Sequence, residues 1–377
     1  MQMRLLFTHE FVPKPQILLI AGENLRFSLR AFASKFASAW RIVMHMSDAL
    51  VSPAVGGAMF ALSGIVAGYS IHKLKKEENL SQKIPSIGVM GAFVFATQMI
   101  NFTIPGTGSS GHLCGGLLLS AVLGPYAGFL SMIGVLFIQA LFFADGGLLA
   151  LGGNIWNMSF YGCFIGTLIW KYITNKEMSR KKIWFASILG SIVTLQMGAF
   201  SVVFETKLSG VTELPFGAFM GAMLPIHLAI GLVEGVITAS VLSFVYEARP
   251  ELLQNNEKTN KEGKLSYKKT IIILVMLFVI IGGGMSLLAS ANPDGLEWSI
   301  EKLTGNTDVE AASNAVYGIS GRIQKLTSIL PDYNFKTSQS SVGTSVSGII
   351  GCGIVTVFLM IIGYIVKAVR KKERIDE

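Results

Sequence analysis

The residues best equipped for chemistry are Met44-His45-Met46-Ser47-Asp48. A chain beginning at Met44 would set a free α-amine beside the His45 amide nitrogen and His45 Nδ1, three nitrogens that close fused five- and six-membered rings around one ion. His112, in Pro105-Gly106-Thr107-Gly108-Ser109-Ser110-Gly111-His112, offers a fourth nitrogen if the fold brings both stretches to one surface. Four in-plane nitrogens suit a d8 or d9 ion, Ni(II) or Cu(II), better than tetrahedral Zn(II). The plainer reading of each His is an interfacial or hydrogen-bonding residue. Cys114 is near enough to be a soft ligand but is expected one turn into an apolar helix, as a small packing residue.

The amine exists only if the chain starts at Met44. Residues 1–43 hold six basic and two acidic residues and no long apolar run, so they do not read as a membrane span. Ala37-Ser38-Ala39 imitates a signal-peptidase site, but Arg26, Arg30 and Lys35 interrupt the apolar region that a signal needs. Trp40 is encoded by TGG, and an AGG or AGA codon at Arg41 would complete a purine-rich, ribosome-binding-like stretch just before Met44. Residues 1–43 are therefore expected to be a translated leader from a misassigned start.

Positioning these residues falls to a membrane bundle. A mean hydropathy of +0.56, with 51% hydrophobic and 14% charged residues, exceeds what a soluble domain can hide. Apolar runs near the length that crosses a bilayer lie at 54–72, 86–104, 113–130, 131–144, 157–172, 183–204, 217–245, 269–290 and 346–367. The expected fold is all-α and integral to the membrane: a seven-helix substrate-binding bundle followed by a two-helix module with an external segment. Basic loops at Lys73 to Lys83, Lys171 to Lys182 and Arg249 to Lys269, with the tail from Lys367, belong on the cytoplasmic side. Alternation then puts Met44, the 104–112 and 205–216 loops and residues 291–345 outside. These loops and the leader account for the net charge of +8, leaving little for a nucleic-acid partner to explain.

The expected domains are the leader 1–43, a metal-binding membrane domain 44–248, a cytoplasmic linker 249–268 and a two-helix module 269–377. His227 and Glu234 lie seven apart on one helical face, where ionisable groups either line a cation path or lock the bundle through partners such as Gln98, Asn101, Gln139, Asn154 or Asn157. Asp145 and Glu205, near outer helix ends, could steer cations or sit in the interface. Gly57, Ala61, Gly64 and Gly68 form a small-residue stripe that suits close approach of a helix, from this bundle or another subunit. Cys114, Cys163 and Cys352 are too few for a disulfide framework. The sequence contains no G-x-x-x-x-G-K-[ST], H-E-x-x-H or nucleophile elbow, so neither an enzyme nor an ATPase is expected.

Several separated motifs carry a resemblance. Met44 to Asp48 with Ser52-Pro53, Phe93 to Phe102 (FVFATQMINF), Ser110-Gly111-His112-Leu113, Phe143 to Gly147, Gly153-Asn154 with Asn157-Met158, and His227 to Gly235 resemble the CbiM/NikM substrate-binding membrane components of nickel and cobalt energy-coupling-factor transporters over residues 44 to about 248. Pro293-Asp294-Gly295-Leu296-Glu297-Trp298 and Pro331-Asp332-Tyr333 resemble the fused NikN-like PDGLE module. The resemblance implies a metal-capture subunit in a prokaryotic plasma membrane, working with a transmembrane coupling (T) component and cytoplasmic ABC ATPases. It implies no intrinsic cofactor beyond the transported Ni(2+) or Co(2+), with nickel favoured and cobalt feeding cobalamin biosynthesis. The ligands it implies are Met44 through backbone nitrogen, His45 and His112. The PDGLE segment is expected to help load or gate the pocket. The rival expectation is a stand-alone secondary metal cation permease relaying through His227 and Glu234.

Overall fold

The computed structural model describes residues 45–175, 177–253, 265–307, 309, 314–336 and 341–376. The leader 1–43, Met44 and much of the expected linker lie outside the described residues.

Helix α1 (Pro53–Lys75) starts where the sequence signals it. Ser52 Oγ accepts the Val55 N–H at 3.3 Å, and Pro53 takes the first helical position, where a missing N–H leaves no bond unmade. Its Gly57, Gly64 and Gly68 face open space with nothing within 4 Å, so the small-residue stripe does not pack inside this bundle. The neighbouring face does: Ser63 Oγ donates to the Gly152 carbonyl at 2.9 Å.

After α2 (Leu80–Gln98) the chain forms a small antiparallel hairpin of β1 (Phe102–Ile104) and β2 (Ser109–Gly111), with Thr103 opposite Ser110. Gly106 and Gly108 supply the turn's positive φ values, 78° and 77°. An extended stretch, 112–115, then leads into the short α3 (Gly116–Leu123). The run expected as one span over 113–130 is thus divided. Gly124, at φ 91°, donates the last N–H to the Ser120 carbonyl and turns the backbone out of the helix, and Pro125, which has no N–H to donate, starts the next. Cys114 accordingly precedes the helix instead of lying within it.

Helix α4 (Pro125–Ile138) continues through wider π-type turns at Gln139–Phe143. A further rod comprises α5 (Leu151–Asn154), the π-helical Ile155–Ile165 and α6 (Gly166–Thr174). The long pair α7 (Arg180–Ser209) and α8 (Phe216–Ala248) approaches closely at two glycines: a Cβ on Gly231 would lie 3.0 Å from Ile192 Cα, and one on Gly235 2.5 Å from Ile188 Cα. From the second block, α9 (Tyr267–Gly283) and α12 (Ser341–Asp376) pack against α2, with Met360 and Thr356 over Gly88. Between them lie α10 (Gly295–Thr304) and α11 (Ala315–Thr327).

Six helical stretches among the described residues are long and apolar enough to cross a membrane: Pro53–Lys75, Pro125–Phe142, Arg180–Ser209, Phe216–Ala248, Tyr267–Leu288 and Val342–Lys372. Their outward faces carry exposed side chains such as Ile65, Phe185 and Leu228, as lipid contact requires. The molecule is a helical, multi-pass membrane protein. Its loops gather at two ends. At one, Arg370 Nη1 donates to the Glu77 carbonyl and Tyr246 Oη to the Met178 carbonyl, among the basic loops. At the other, Ser290 N donates to the Asn101 carbonyl at 2.7 Å and Ser110 N to the Pro293 carbonyl at 2.8 Å.

Candidate metal centre

The segment carrying His45 is clamped from several sides. Asn154 uses its whole carboxamide on Met46, accepting the backbone N–H at 3.2 Å and donating to the carbonyl at 3.0 Å. Gly147 N donates to the same carbonyl at 3.1 Å. Two residues on, Asp48 Oδ1 accepts the N–H groups of Leu149 and Ala150 at 2.8 and 3.0 Å, while Oδ2 takes the Ser320 hydroxyl of α11. Tyr317, three residues earlier on the same face of α11, donates to the Val51 carbonyl at 2.9 Å. The opposite face of α11 is apolar and exposed at Val316, Ile319, Ile323 and Leu326, so this helix turns its polar side inward.

His112 is delivered by the extended stretch after β2. Gln98 holds that stretch by donating to the Cys114 carbonyl at 2.9 Å, and Gln139 braces Gln98 at 3.0 Å. Glu234 accepts the N–H groups of Cys114 and Gly115. His227 Nδ1 lies 2.8 Å from the Met223 carbonyl on its own helix. The polar partners foreseen for Glu234 are thus replaced by backbone groups, because the break before α3 leaves two N–H groups to satisfy.

Both clamps converge on one cavity of about 100 Å³, lined by His45, Met46, His112, Cys114, His227 and Asp294 among others. The imidazoles of His45 and His112 meet edge to face, their centroids 5.4 Å apart. Two carboxylates flank them. Asp145 Oδ1 lies 3.0 Å from His45 Nδ1, a charge contact without hydrogen-bond alignment, and His45 Nε2 has no hydrogen-bond partner among the described residues. Asp145 Oδ2 accepts the Tyr333 hydroxyl at 2.6 Å, and burial together with the Asp145 charge holds that phenol well above its ordinary range. Asp294 Oδ2 lies 3.9 Å from His112 Nε2. Burial raises the Asp294 carboxyl from 3.8 to about 7, despite opposing pulls from its bond to the Glu297 N–H and from His45.

The nitrogen expected to chelate, His45 Nδ1, therefore faces Asp145 here, so an ion bound through Nδ1 must displace that contact. Among the described residues no three His, Cys, Asp or Glu side chains are grouped to hold a metal. Two imidazoles and a pair of backbone nitrogens from the chain just before Met46 are not such a group. Of the remaining sequence candidates, Asp145 is buried behind His45, between it and Tyr333, and Glu205 is buried beside Gly153 instead of lying in the interface.

The described residues thus form a helical membrane bundle around a pocket with two imidazoles and two flanking carboxylates, groups whose chemistry suits a small cation. The family model for the cobalt uptake substrate-specific transmembrane region, CbiM, matches residues 45–252, and that for the PDGLE domain matches 268–368. The chain belongs to the CbiM family and carries a PDGLE domain after it, which makes it a nickel/cobalt transport component of the CbiM/NikM type. A protein of Archaeoglobus fulgidus, provisionally named a fused nickel transport protein, NikMN, is 32% identical over 85% of this chain and 97% of its own length. The cobalt transport protein CbiM of Sorangium cellulosum is 29% identical over 56% of this chain and 94% of its own. A solved transition metal transporter is 31% identical, covering 54% of this chain and 99% of its own, with a TM-score of 0.48.

Sequence reasoning expected the PDGLE segment to help load or gate the pocket, but it did not single out Asp294 as part of the wall or Tyr333 as the partner of Asp145. For Asp294 a signal existed: Asp294-Gly-Leu-Glu297 is a capping-box pattern, and the structure realises it, with Asp294 accepting the Glu297 N–H at 2.8 Å. A capping residue's side chain turns back over the helix N-terminus, which here is the cavity wall.

Proposed function

We propose that this chain is the substrate-capture component of an energy-coupling-factor importer for a divalent transition metal, with nickel favoured over cobalt. The observation that carries it is the convergence of His45 and His112 in one cavity, their rings 5.4 Å apart. The ion is held by the Met44 amine, the deprotonated His45 amide, a His45 imidazole nitrogen and His112, an in-plane nitrogen set suited to a d8 ion. Binding releases the amide proton, so it weakens as pH falls.

Nickel is favoured because the relative spanning both blocks is named for nickel, whereas the cobalt-named relative covers 56% of the chain. The site end faces outside, with the PDGLE segment; the basic loops and C-terminus face the cytoplasm. Energy comes from partner ABC ATPases acting through a transmembrane coupling protein, since the sequence has no nucleotide-binding loop of its own. The domains are those set out from the sequence, 44–248 for capture and 269–377 for the accessory module. The rival permease draws on His227 and Glu234, but both Glu234 oxygens are already engaged by backbone N–H groups, which supports the lock.

The test is Ni(II) binding by protein begun at Met44, by the same protein with one residue added before Met44, and by His112→Ala. The added residue converts the amine to an amide and the Ala removes an imidazole, so each is expected to lower affinity at least a hundredfold. Equal binding by all three overturns the site. Metal uptake into vesicles without ATP or partners would favour the permease.

A further inference from the structure

Most of Pro293-Asp294-Gly295-Leu296-Glu297-Trp298 is engaged at the cavity or the hairpin beside it. The Pro293 carbonyl accepts the Ser110 N–H at 2.8 Å, and the Asn292 carbonyl the Ser110 hydroxyl at 2.8 Å, two residues before His112. Trp298 Nε1 donates to the Thr107 carbonyl in the hairpin turn at 3.0 Å. Gly295 is pressed on α8: a Cβ there would come 2.8 Å from Ile230 Cδ1 and 2.9 Å from His227 Cε1. Glu297 closes the capping box. Together these contacts carry the Asp294 carboxylate to the wall of a cavity otherwise formed by the first block.

There it is 5% exposed, with one oxygen on the Glu297 N–H and the other directed toward His112 Nε2. A helix cap alone does not require this side chain to be Asp, because Asn and Ser cap as well. What the carboxylate adds is a negative charge inside a buried pocket. A divalent ion held by neutral nitrogens and one amide anion keeps a net positive charge, which is costly to bury without a nearby anion. Asp145 supplies one such anion on the His45 side, and Asp294 stands on the His112 side.

We propose that the cation site is composite, with Asp294 of the PDGLE domain supplying the charge-compensating wall beside His112, so that the second block is part of the binding site and not only an accessory to it. This rests on the metal-site reading above. Asp294 acts here on the ion through space and holds His112 in place; it is not assigned as a ligand.

Asp294→Asn and Asp294→Ser keep an N-cap and remove the charge, and the full chain is tested with Ni(II) alone at pH 8 and high ionic strength. Each variant is expected to lose about tenfold in affinity, a loss that salt does not erase because the pair is buried. Hydrogen exchange of the Ser110 amide, covered by the Pro293 carbonyl, reports whether the motif stays docked. Docked variants that bind Ni(II) within twofold of the parent overturn the proposal. Undocking by both variants also overturns it, since Asp294 would then be a latch and its charge incidental. His112→Ala separates the two readings: if it binds Ni(II) like the parent, the metal-site assignment itself has failed, whereas if it loses binding and docked Asp294→Asn does not, only the composite site has failed.

Discussion

Glu234, midway along α8, accepts the Cys114 N–H at 2.9 Å with one carboxylate oxygen, while its other oxygen accepts the Gly115 N–H at 3.0 Å. A buried carboxylate spent wholly on two backbone donors is a structural clamp, and what it clamps is the strand that presents His112. The bond is charge-assisted, which makes it stronger than a neutral one.

Glu234→Ala should therefore act on stability and on His112 together. It orphans two buried N–H groups, each costing about 1–3 kcal/mol, and the melting temperature should fall by several degrees. Ni(II) affinity should fall with it. Glu234→Gln retains one acceptor oxygen and should show a milder version of both effects. A Glu234→Gln protein with the parent's melting temperature and Ni(II) affinity, yet no transport in the assembled transporter, would point instead to a proton relay.

Asp48 makes a parallel case on the His45 side. Its carboxylate gathers the N–H groups of Leu149 and Ala150 and the Ser320 hydroxyl, so it ties the N-terminal segment to both the corner just before α5 and α11. Asp48→Ala is expected to destabilise by about 2–4 kcal/mol, since two buried donors lose their acceptor. Ser320→Ala removes only the tie to α11 and should cost about 1 kcal/mol. Denaturant melts of the two variants check the ranking; equal losses would mean that α11, and not the corner, holds the segment.

Much of this architecture was legible in the sequence because membrane helices announce themselves by length and apolarity, and basic loops by charge. His45 and His112 were readable as a pair from residue type and sidedness. What was not legible depends on contacts distant in sequence. The division of 113–130 is local to Gly124-Pro125, but the extended 112–115 stretch exists because Gln98 and Glu234 satisfy its backbone from other helices. Tyr333 lies 188 positions from Asp145, and Ser320 lies 272 from Asp48, separations at which no periodicity survives. The inward polar face of α11 inverts the usual amphipathic pattern: Gln324 donates to the Ala140 and Gly146 carbonyls and Thr327 to the Leu141 carbonyl, while the apolar side chains stay exposed.

Tyr333 should report on the Asp145 carboxylate without touching the imidazoles. Its ring stacks on Phe143, centroids 4.9 Å apart, and only its hydroxyl reaches Asp145. Tyr333→Phe keeps the stacking and removes one bond to a charged acceptor, a loss of about 1.5–3 kcal/mol. The freed Asp145 oxygen then pulls harder on His45, so Ni(II) binding through Nδ1 should weaken by a fewfold. Asp145→Asn removes that competition but also an anion beside the cation, and it should weaken binding more than Tyr333→Phe does. Titration calorimetry with Ni(II) on both variants decides the order; tighter binding by Asp145→Asn would show that the carboxylate obstructs the ion more than it compensates it.

Asp294 makes metal-free stability depend on pH with a sign opposite to that of an ordinary paired carboxylate. Burial raises its folded-state value from 3.8 to about 7, so between those values the folded protein holds a proton that the unfolded chain has released. The folded state binds more protons there, and stability must fall as pH rises through that window. The contribution is complete below about pH 4 and lost by about pH 7. Asp294→Asn cannot lose that proton and keeps the cap, so its metal-free melting temperature should be flatter across this range and should exceed the parent's at pH 8. The same substitution is expected to weaken Ni(II) binding about tenfold, worth about 1.4 kcal/mol, so added Ni(II) should narrow the gap between the two melting temperatures. A variant less stable than the parent at both pH 5 and pH 8 would mean that the contact with His112 outweighs the cost of burying the charge even without a cation.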